Sequence, residues 1–279
     1  MAIGFSQNFN LECNLLASLL RAYAENERLS REAIRSLLGV GDNKAEAMVT
    51  WLGKLQLRDN TSRKITALGS TILTHDPYFE NATTLWLLHY QLATSEEAEV
   101  WYWLTNRFLP NCSRFGFGDA IDFLASLGIG KGDEQHLRTD VSIFLRSFMS
   151  ETSLAKTGLI KVEGKANRNT ARNRFYKNPP SNLSPYLVAY AIFDQRIRKS
   201  PNVATMTIEE LLTQDGSVGR VFCLTRSRLE ELLRLISSNQ FGRLVDLSTT
   251  AGLDQVGLRF RGDPVQVLEM NYRSRSKRS

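Results

Sequence analysis

The stretch Leu38-Gly39-Val40-Gly41-Asp42-Asn43-Lys44, running on through Ala45 to Leu57, decides how this chain is read. It has the pattern of a tight glycine turn, an amphipathic helix and an extended exit. Gly39 and Gly41 permit backbone angles closed to other residues. Asp42 is the expected N-cap, its carboxylate accepting from the first free amides of the helix. Ala45, Met48, Val49, Leu52 and Leu55 recur at helical spacing and form the expected inward face. Asn43, Lys44, Ala47, Thr50, Trp51 and Lys54 are left on the opposite side.

Two helices precede this one, Leu11 to Glu25 and Ser30 to Leu38. After it, Leu55-Gln56-Leu57-Arg58 and Arg63-Lys64-Ile65 flank the polar turn Asp59-Asn60-Thr61-Ser62, the pattern of a short hairpin. Thr66 can cap the next helix, Ala67 to Thr74, which Pro77 prevents from continuing. Helix, helix, turn, helix, hairpin, helix is the order of a winged helix-turn-helix, in which the helix after the turn is the usual DNA reader.

An echo follows downstream: Leu-Gly-Val-Gly at 38–41 becomes Leu127-Gly128-Ile129-Gly130. It is preceded by a helix from Phe117 to Leu127 and followed by one from Glu134 to Met149. Leu159-Ile160-Lys161-Val162 and Arg174-Phe175-Tyr176 read as strands around a polar run from Gly164 to Asn173, the makings of a second unit with a long basic wing. Between the two copies lies an aromatic helical hairpin, Thr83 to Ala93 and Ser95 to Leu109, with Ser95, Glu96, Glu97 and Glu99 as its capped second start. Trp86, Trp101 and Trp103 sit at helical spacing and read as core rather than as base-stacking platforms. Beyond Pro179-Pro180, helices from Ser184, Thr207, Thr225 and Asp263 and a Leu244–Leu247/Val256–Phe260 hairpin give a third, winged-helix-like unit. The fold class is therefore mainly α with short β-hairpins: tandem winged helix-turn-helix-like units around a helical hairpin. The expected division is 1–76, 77–180 and 181–272, with 273–279 a disordered basic tail.

Charge placement says more than the net +6. Residues 1–155 carry 14 basic and 18 acidic side chains, whereas residues 156–180 carry 7 basic against 1 acidic. Residues 181–272 balance at 10 each, and the tail adds 4 basic residues. A basic stripe in a near-neutral protein is the footprint of a phosphate-backbone contact. In the first helix after a turn, Asp42 and Glu46 offset Lys44 and Lys54, which moves the main phosphate contact to the second unit. The expected DNA contacts are Lys44, Lys54, Lys161, Lys165, Arg168, Arg172, Arg174 and Lys177. No apolar run approaches the roughly 20 residues needed to span a bilayer, and the N-terminal residues lack the pattern of a secretory signal. Cys13, Cys112 and Cys223 are too far apart for a disulfide framework or zinc spacing and fit a reducing cytoplasm.

Catalytic signatures are absent. Gly128–Gly132 has neither the Walker spacing nor the Ser/Thr after Lys131, and no Gly-x-Ser-x-Gly elbow occurs. His136 and Asp140 would share a helix face, and Asp119 and Asp122 a helix start. Asp263 and Glu269 lack the lysine of the restriction-nuclease pattern. Tyr176, among Arg172, Arg174 and Lys177, reads as a strand aromatic packing under the wing. No cofactor is identified; nicking would require a divalent metal held by converging carboxylates.

The motif at Leu38–Lys44 with Trp51-Leu52 and Leu57, and the second at Leu127–Gly128 through Leu137-Arg138-Thr139-Asp140-Val141 and Phe144-Leu145-Arg146, resemble a bacterial family of unknown function, numbered four thousand and seven. The resemblance covers nearly the whole chain. It implies association with DNA phosphorothioation gene clusters, and one branch is similar to the nicking component of the single-strand phosphorothioation (Ssp) phage-defence system. Implied partners are DNA, a cysteine desulfurase and an ATP-dependent sulfur-transfer enzyme. Three readings follow: a DNA-binding component, a nicking endonuclease of such a system, or a non-catalytic protein-interaction scaffold.

Overall fold

A computed structural model describes Gly4, residues 6–248 and residues 254–276. The fold is mainly helical, with two small antiparallel three-stranded sheets, and the chain separates into two compact units, Met1–Pro179 and Pro180–Ser279. No described helix is long and apolar enough to cross a membrane.

The first unit opens with α1 (Cys13–Glu25), α2 (Arg31–Leu38) and α3 (Asp42–Lys54). Gly39 ends α2 in the left-handed conformation (φ 62°), and the Val40 amide reaches back to the Arg35 carbonyl. The echo closes in the same manner: Gly128 has φ 77° and the Ile129 amide donates to Leu124. The two turns then diverge. Gly41 leads directly into α3, whereas Gly130 and Gly132 lengthen the second turn before Asp133 caps the next helix.

Three expectations for α3 need correction. Its N-cap is Gly41, whose carbonyl already accepts from Ala45; Asp42 lies inside the first turn and pairs with Arg35 at 3.3 Å. Ala47 and Trp51 are buried rather than outward-facing. The Trp51 indole N–H donates to the Phe9 carbonyl at 3.3 Å, and its ring meets Trp101 edge-on at 6.1 Å. Long-range packing overrides the local periodicity here, because a second apolar surface covers what the sequence left as the outer face. The expected hairpin after α3 is reduced to a single bridge between Arg58 and Ile65. Thr66 caps α4 (Ala67–His75) as anticipated.

The centre of this unit is α5 (Ala82–Thr94), in which every residue from Thr83 to Ala93 is buried. Around it gather Trp86, Trp101, Phe144 and Phe148, and the Trp101 indole N–H donates to His89 Nδ1 at 3.1 Å. The tryptophans here are core, with Trp103 part-buried. The second helix of the hairpin starts later than expected. Ser95 caps the end of α5, and α6 covers Glu99–Trp103 only. Glu97 is drawn away into an ion pair with Lys54. A π-helical turn follows at Leu104–Phe108, where the Asn106 amide group donates to the carbonyls of Ala93 and Tyr102.

Strand β1 (Arg114–Gly116), unforeseen in the sequence, leads into α7 (Phe117–Ser126) and α8 (Glu134–Met149). β2 (Ile160–Val162) and β3 (Arg174–Lys177) complete a sheet of order β1-β3-β2. The second unit holds α9 (Pro185–Lys199), β4 (Thr205–Thr207), α10 (Ile208–Thr213), α11 (Val218–Val221), α12 (Arg226–Ser237), β5 (Val245–Ser248), β6 (Gln255–Leu258) and α13 (Val265–Ser276). Its sheet order is β4-β6-β5, and α12 and α13 pack on α9. Helix α13 runs on through Arg273 to Ser276, with an i,i+4 pair between Arg273 and Glu269 at 3.3 Å. The remaining tail residues, 277–279, lie outside the described residues.

The two turns make different demands on glycine. Gly130 has φ 78°, and a Cβ there would stand 2.8 Å from Leu137; Gly41 has φ −75° and open space. We expect Gly130→Ala to destabilise the first unit by about 1–3 kcal/mol and Gly41→Ala to change it by less than about 0.5 kcal/mol, measured by denaturant unfolding.

Candidate nucleic-acid interface

The basic run becomes a surface because three short strands pair. The register sets Arg114 opposite Tyr176 and Tyr176 opposite Lys161, so these side chains form a row across the sheet. One residue along, Phe115, Phe175 and Val162 form the next row, facing inward. Phe115 and Phe175 are buried and stacked, with ring centroids 5.6 Å apart. Alternation then turns Arg174 and Tyr176 to the outer face. Phe108 meets Phe115 edge-on at 5.2 Å and carries the aromatic seam onward.

The polar run between β2 and β3 is built, not loose. Asn173 is buried and grips Asn167 twice: its Oδ1 accepts from the Asn167 amide at 2.7 Å, and its Nδ2 donates to the Asn167 carbonyl at 2.9 Å. The Asn167 side chain accepts from the Asn169 amide, and the Asn169 side chain from the Ala171 amide. Thr170 is buried, with its hydroxyl 2.7 Å from that of Ser142 on α8. A short 3-10 turn, Thr170–Arg172, results. Asparagines that fold a loop onto itself leave the intervening cations exposed.

The predicted contact residues divide by what their charges meet. Lys161, Lys165, Arg168 and Arg172 are exposed and make no ion pair among the described residues. Arg174 lies 3.5 Å from Asp119, and Arg114 lies 3.6 Å from Glu163. Lys177 donates to the Leu109 carbonyl at 2.7 Å, tying β3 to the end of the π-helical segment. Lys44 pairs with Glu12 at 2.7 Å and Lys54 with Glu97 at 2.5 Å. Arg114 is the basic residue of this surface that sequence reasoning missed. Its strand lies about sixty residues upstream and has no alternating pattern long enough to declare itself.

The carboxylates singled out in the sequence have different surroundings. Asp119 accepts from the Gly116 amide at 2.7 Å beside Arg174. Asp122 lines a cavity of about 400 Å³ between α7 and α8, with Lys131 and Arg138 in the same wall. Asp140 accepts from the Gly4 amide at 2.7 Å, while His136 pairs with Asp133 rather than Asp140. Asp263 belongs to the second unit and accepts from the Val265 amide. Among the described residues, no three His, Cys, Asp or Glu side chains gather where they could hold a metal ion.

The family model described as a protein of unknown function (DUF4007) matches residues 18–272. Two solved structures are similar over 99% of this chain and 87% of their own: "Magnesium ion-bound SspB crystal structure", at 20% identity and TM-score 0.79, and "SspB crystal structure", at 18% identity and TM-score 0.75. No curated protein matches the chain.

The wing's internal hydrogen bonds and the buried Asp140 can each be tested. Asn173→Ala removes both links to Asn167 and should raise amide exchange across residues 164–172, at a cost of about 1–3 kcal/mol. Burial pushes the Asp140 carboxyl up to about 6 from 3.8, against the Gly4 amide, which favours the charged form. A carboxyl raised on folding contributes stability below its unfolded pKa and loses it as pH rises through the folded one. Wild type should therefore lose on the order of 2 kcal/mol between pH 4 and 7 from this group, and Asp140→Asn should flatten that part of the stability–pH curve.

Proposed function

We propose, from the premise that this chain belongs to the DUF4007 family, that it is a DNA-binding component of a phosphorothioation-based defence system. It grips the phosphate backbone through the wing between β2 and β3. The observation that carries this reading is the set of four exposed cations, Lys161, Lys165, Arg168 and Arg172. Among the described residues they pair with no carboxylate, and they stand on or beside a loop held by the Asn167–Asn173 pair. Cations already committed to carboxylates gain little from a phosphate. Uncommitted ones release counterions from DNA at no internal cost. Prior ordering of the loop lowers the entropy lost on binding. The helix–glycine turn–helix segments α2–α3 and α7–α8 are read as winged-helix-like units. The first contributes architecture rather than contact, because Lys44 and Lys54 are engaged. Tyr176, part-exposed between Arg114 and Lys161, can lie against a sugar or base at the edge of the bound strand. The fold shared with the SspB structures supports the Ssp-type setting, where a cysteine desulfurase and an ATP-dependent sulfur-transfer enzyme would be the companions.

A second reading, DNA nicking with magnesium, is raised by the similarity to a magnesium-bound SspB. Among the described residues no three His, Cys, Asp or Glu side chains gather to hold such an ion.

Double substitution Arg168→Ala/Arg172→Ala should weaken binding to unrelated duplexes alike, by about 1–3 kcal/mol, and reduce the log–log salt slope by about 2. Lys44→Ala should leave both unchanged. Fluorescence anisotropy at several salt concentrations measures this, and an unaltered slope in the double variant refutes the wing contact. Conversion of supercoiled plasmid to open circles with magnesium, abolished by a single carboxylate change, would favour nicking instead.

A further inference from the structure

Arg58 is the one arginine of the first unit, among the described residues, whose side chain is almost wholly enclosed, at 7% exposure. Its backbone is held by the bridge to Ile65 and by the contact of its amide with the Leu52 carbonyl. The guanidinium lies over the Tyr23 ring, 4.1 Å from its centroid. Its Nε is buried without a hydrogen-bond acceptor, and its side chain makes no ion pair among the described residues, the neighbouring Asp59 carboxylate feeling its charge only at longer range. A largely enclosed guanidinium with no anion in direct contact is costly, and an aromatic face offsets only part of that cost.

The surroundings explain what could complete it. Arg58 lines a cup of about 330 Å³ where α1, α2, α3 and the turn after Leu57 meet. That is several times the ~30 Å³ share of a water molecule. Arg28, Arg31, Asn60 and Arg63 line the same cup. Arg31 is committed to Glu46 at 3.3 Å, but Arg28 and Arg63 are exposed and make no ion pair among the described residues. Glu27 is the remaining carboxylate in the wall, so positive charge is left over. Arg58 and Arg63 both act electrostatically on the Tyr23 hydroxyl, opposing the upward push of burial, which agrees with two cations converging there.

We propose that this cup is a phosphate-binding site, with Arg58 as its buried floor, Arg28 and Arg63 at its rim and Asn60 as a neutral donor. Planar guanidinium groups match tetrahedral oxyanions with paired donors. The phosphate group belongs either to DNA, as a second backbone contact apart from the wing, or to a free ion or nucleotide. The proposal is independent of the wing reading, since it rests on different residues and a different ligand measurement.

The test is titration of the full chain with inorganic phosphate, against chloride at equal ionic strength, followed by thermal unfolding and calorimetry. Wild type should be stabilised by phosphate beyond chloride. Arg28→Ala/Arg63→Ala, which touches only exposed side chains, should weaken phosphate binding about tenfold or more. Arg58→Met should abolish the phosphate response while leaving the protein folded in phosphate-free buffer. Equal responses to phosphate and chloride in wild type, or a wild-type response in the double variant, would overturn the site. If Arg58→Met fails to fold, the rim variant still decides. The source follows from duplex binding by the rim variant with the wing intact: lost affinity assigns the phosphate to DNA, and unchanged affinity assigns it to a free ligand.

Discussion

The first unit depends on a pairing that spans some sixty residues: β1 against β3, with Phe115 stacked on Phe175. Without it, the run from Lys161 to Lys177 is a basic loop with no fixed face. With it, the inner row of the sheet joins the aromatic seam through Phe108, and the outer row is committed to solvent. Antiparallel pairing gives each residue a definite side, and a slip of one residue would exchange Phe175 for Tyr176 in the core. The same register brings Arg114 into line with Lys161. The basic surface is thus a consequence of where two phenylalanines are buried.

Charge in this molecule is sorted by availability rather than by number. Lys44, Lys54, Arg31 and Arg35 each meet a carboxylate from the same stretch before residue 156, and Arg174 meets Asp119, so these cations are neutralised nearby in space. Exposed pairs of this kind add little stability, but they remove the positive potential that a phosphate would seek. What remains is the set Lys161, Lys165, Arg168 and Arg172 on or beside the wing, and the cup around Arg58. Both present positive charge, and they differ in kind. The wing presents solvated charge on an ordered loop; the cup holds a largely enclosed guanidinium that stacks on Tyr23 and makes no ion pair among the described residues.

Much of this was legible in the sequence because the signals were local. Glycine after an apolar helix predicts a left-handed C-cap, and Gly39 and Gly128 both adopt it. Thr66, Thr207 and Thr225 cap helices where hydroxyl residues precede periodic segments. Helix continuity was less legible. Ser95 with Glu96, Glu97 and Glu99 has the composition of a helix start, yet Lys54 draws Glu97 aside and the helix begins at Glu99.

By itself, then, the sequence determined the helical character of the chain, the repeated glycine turn, most caps and the location of the basic run. Each depends on backbone preference or charge within about a turn of helix. Only the tertiary structure decided that Trp51 and Ala47 face inward, that Arg114 joins the wing, that Lys44, Lys54 and Lys177 are occupied, and that Arg58 is buried over the Tyr23 ring with no ion pair among the described residues. Those outcomes turn on contacts between segments distant in the chain. Periodicity marks an apolar face, but it does not say which other surface will cover the opposite one.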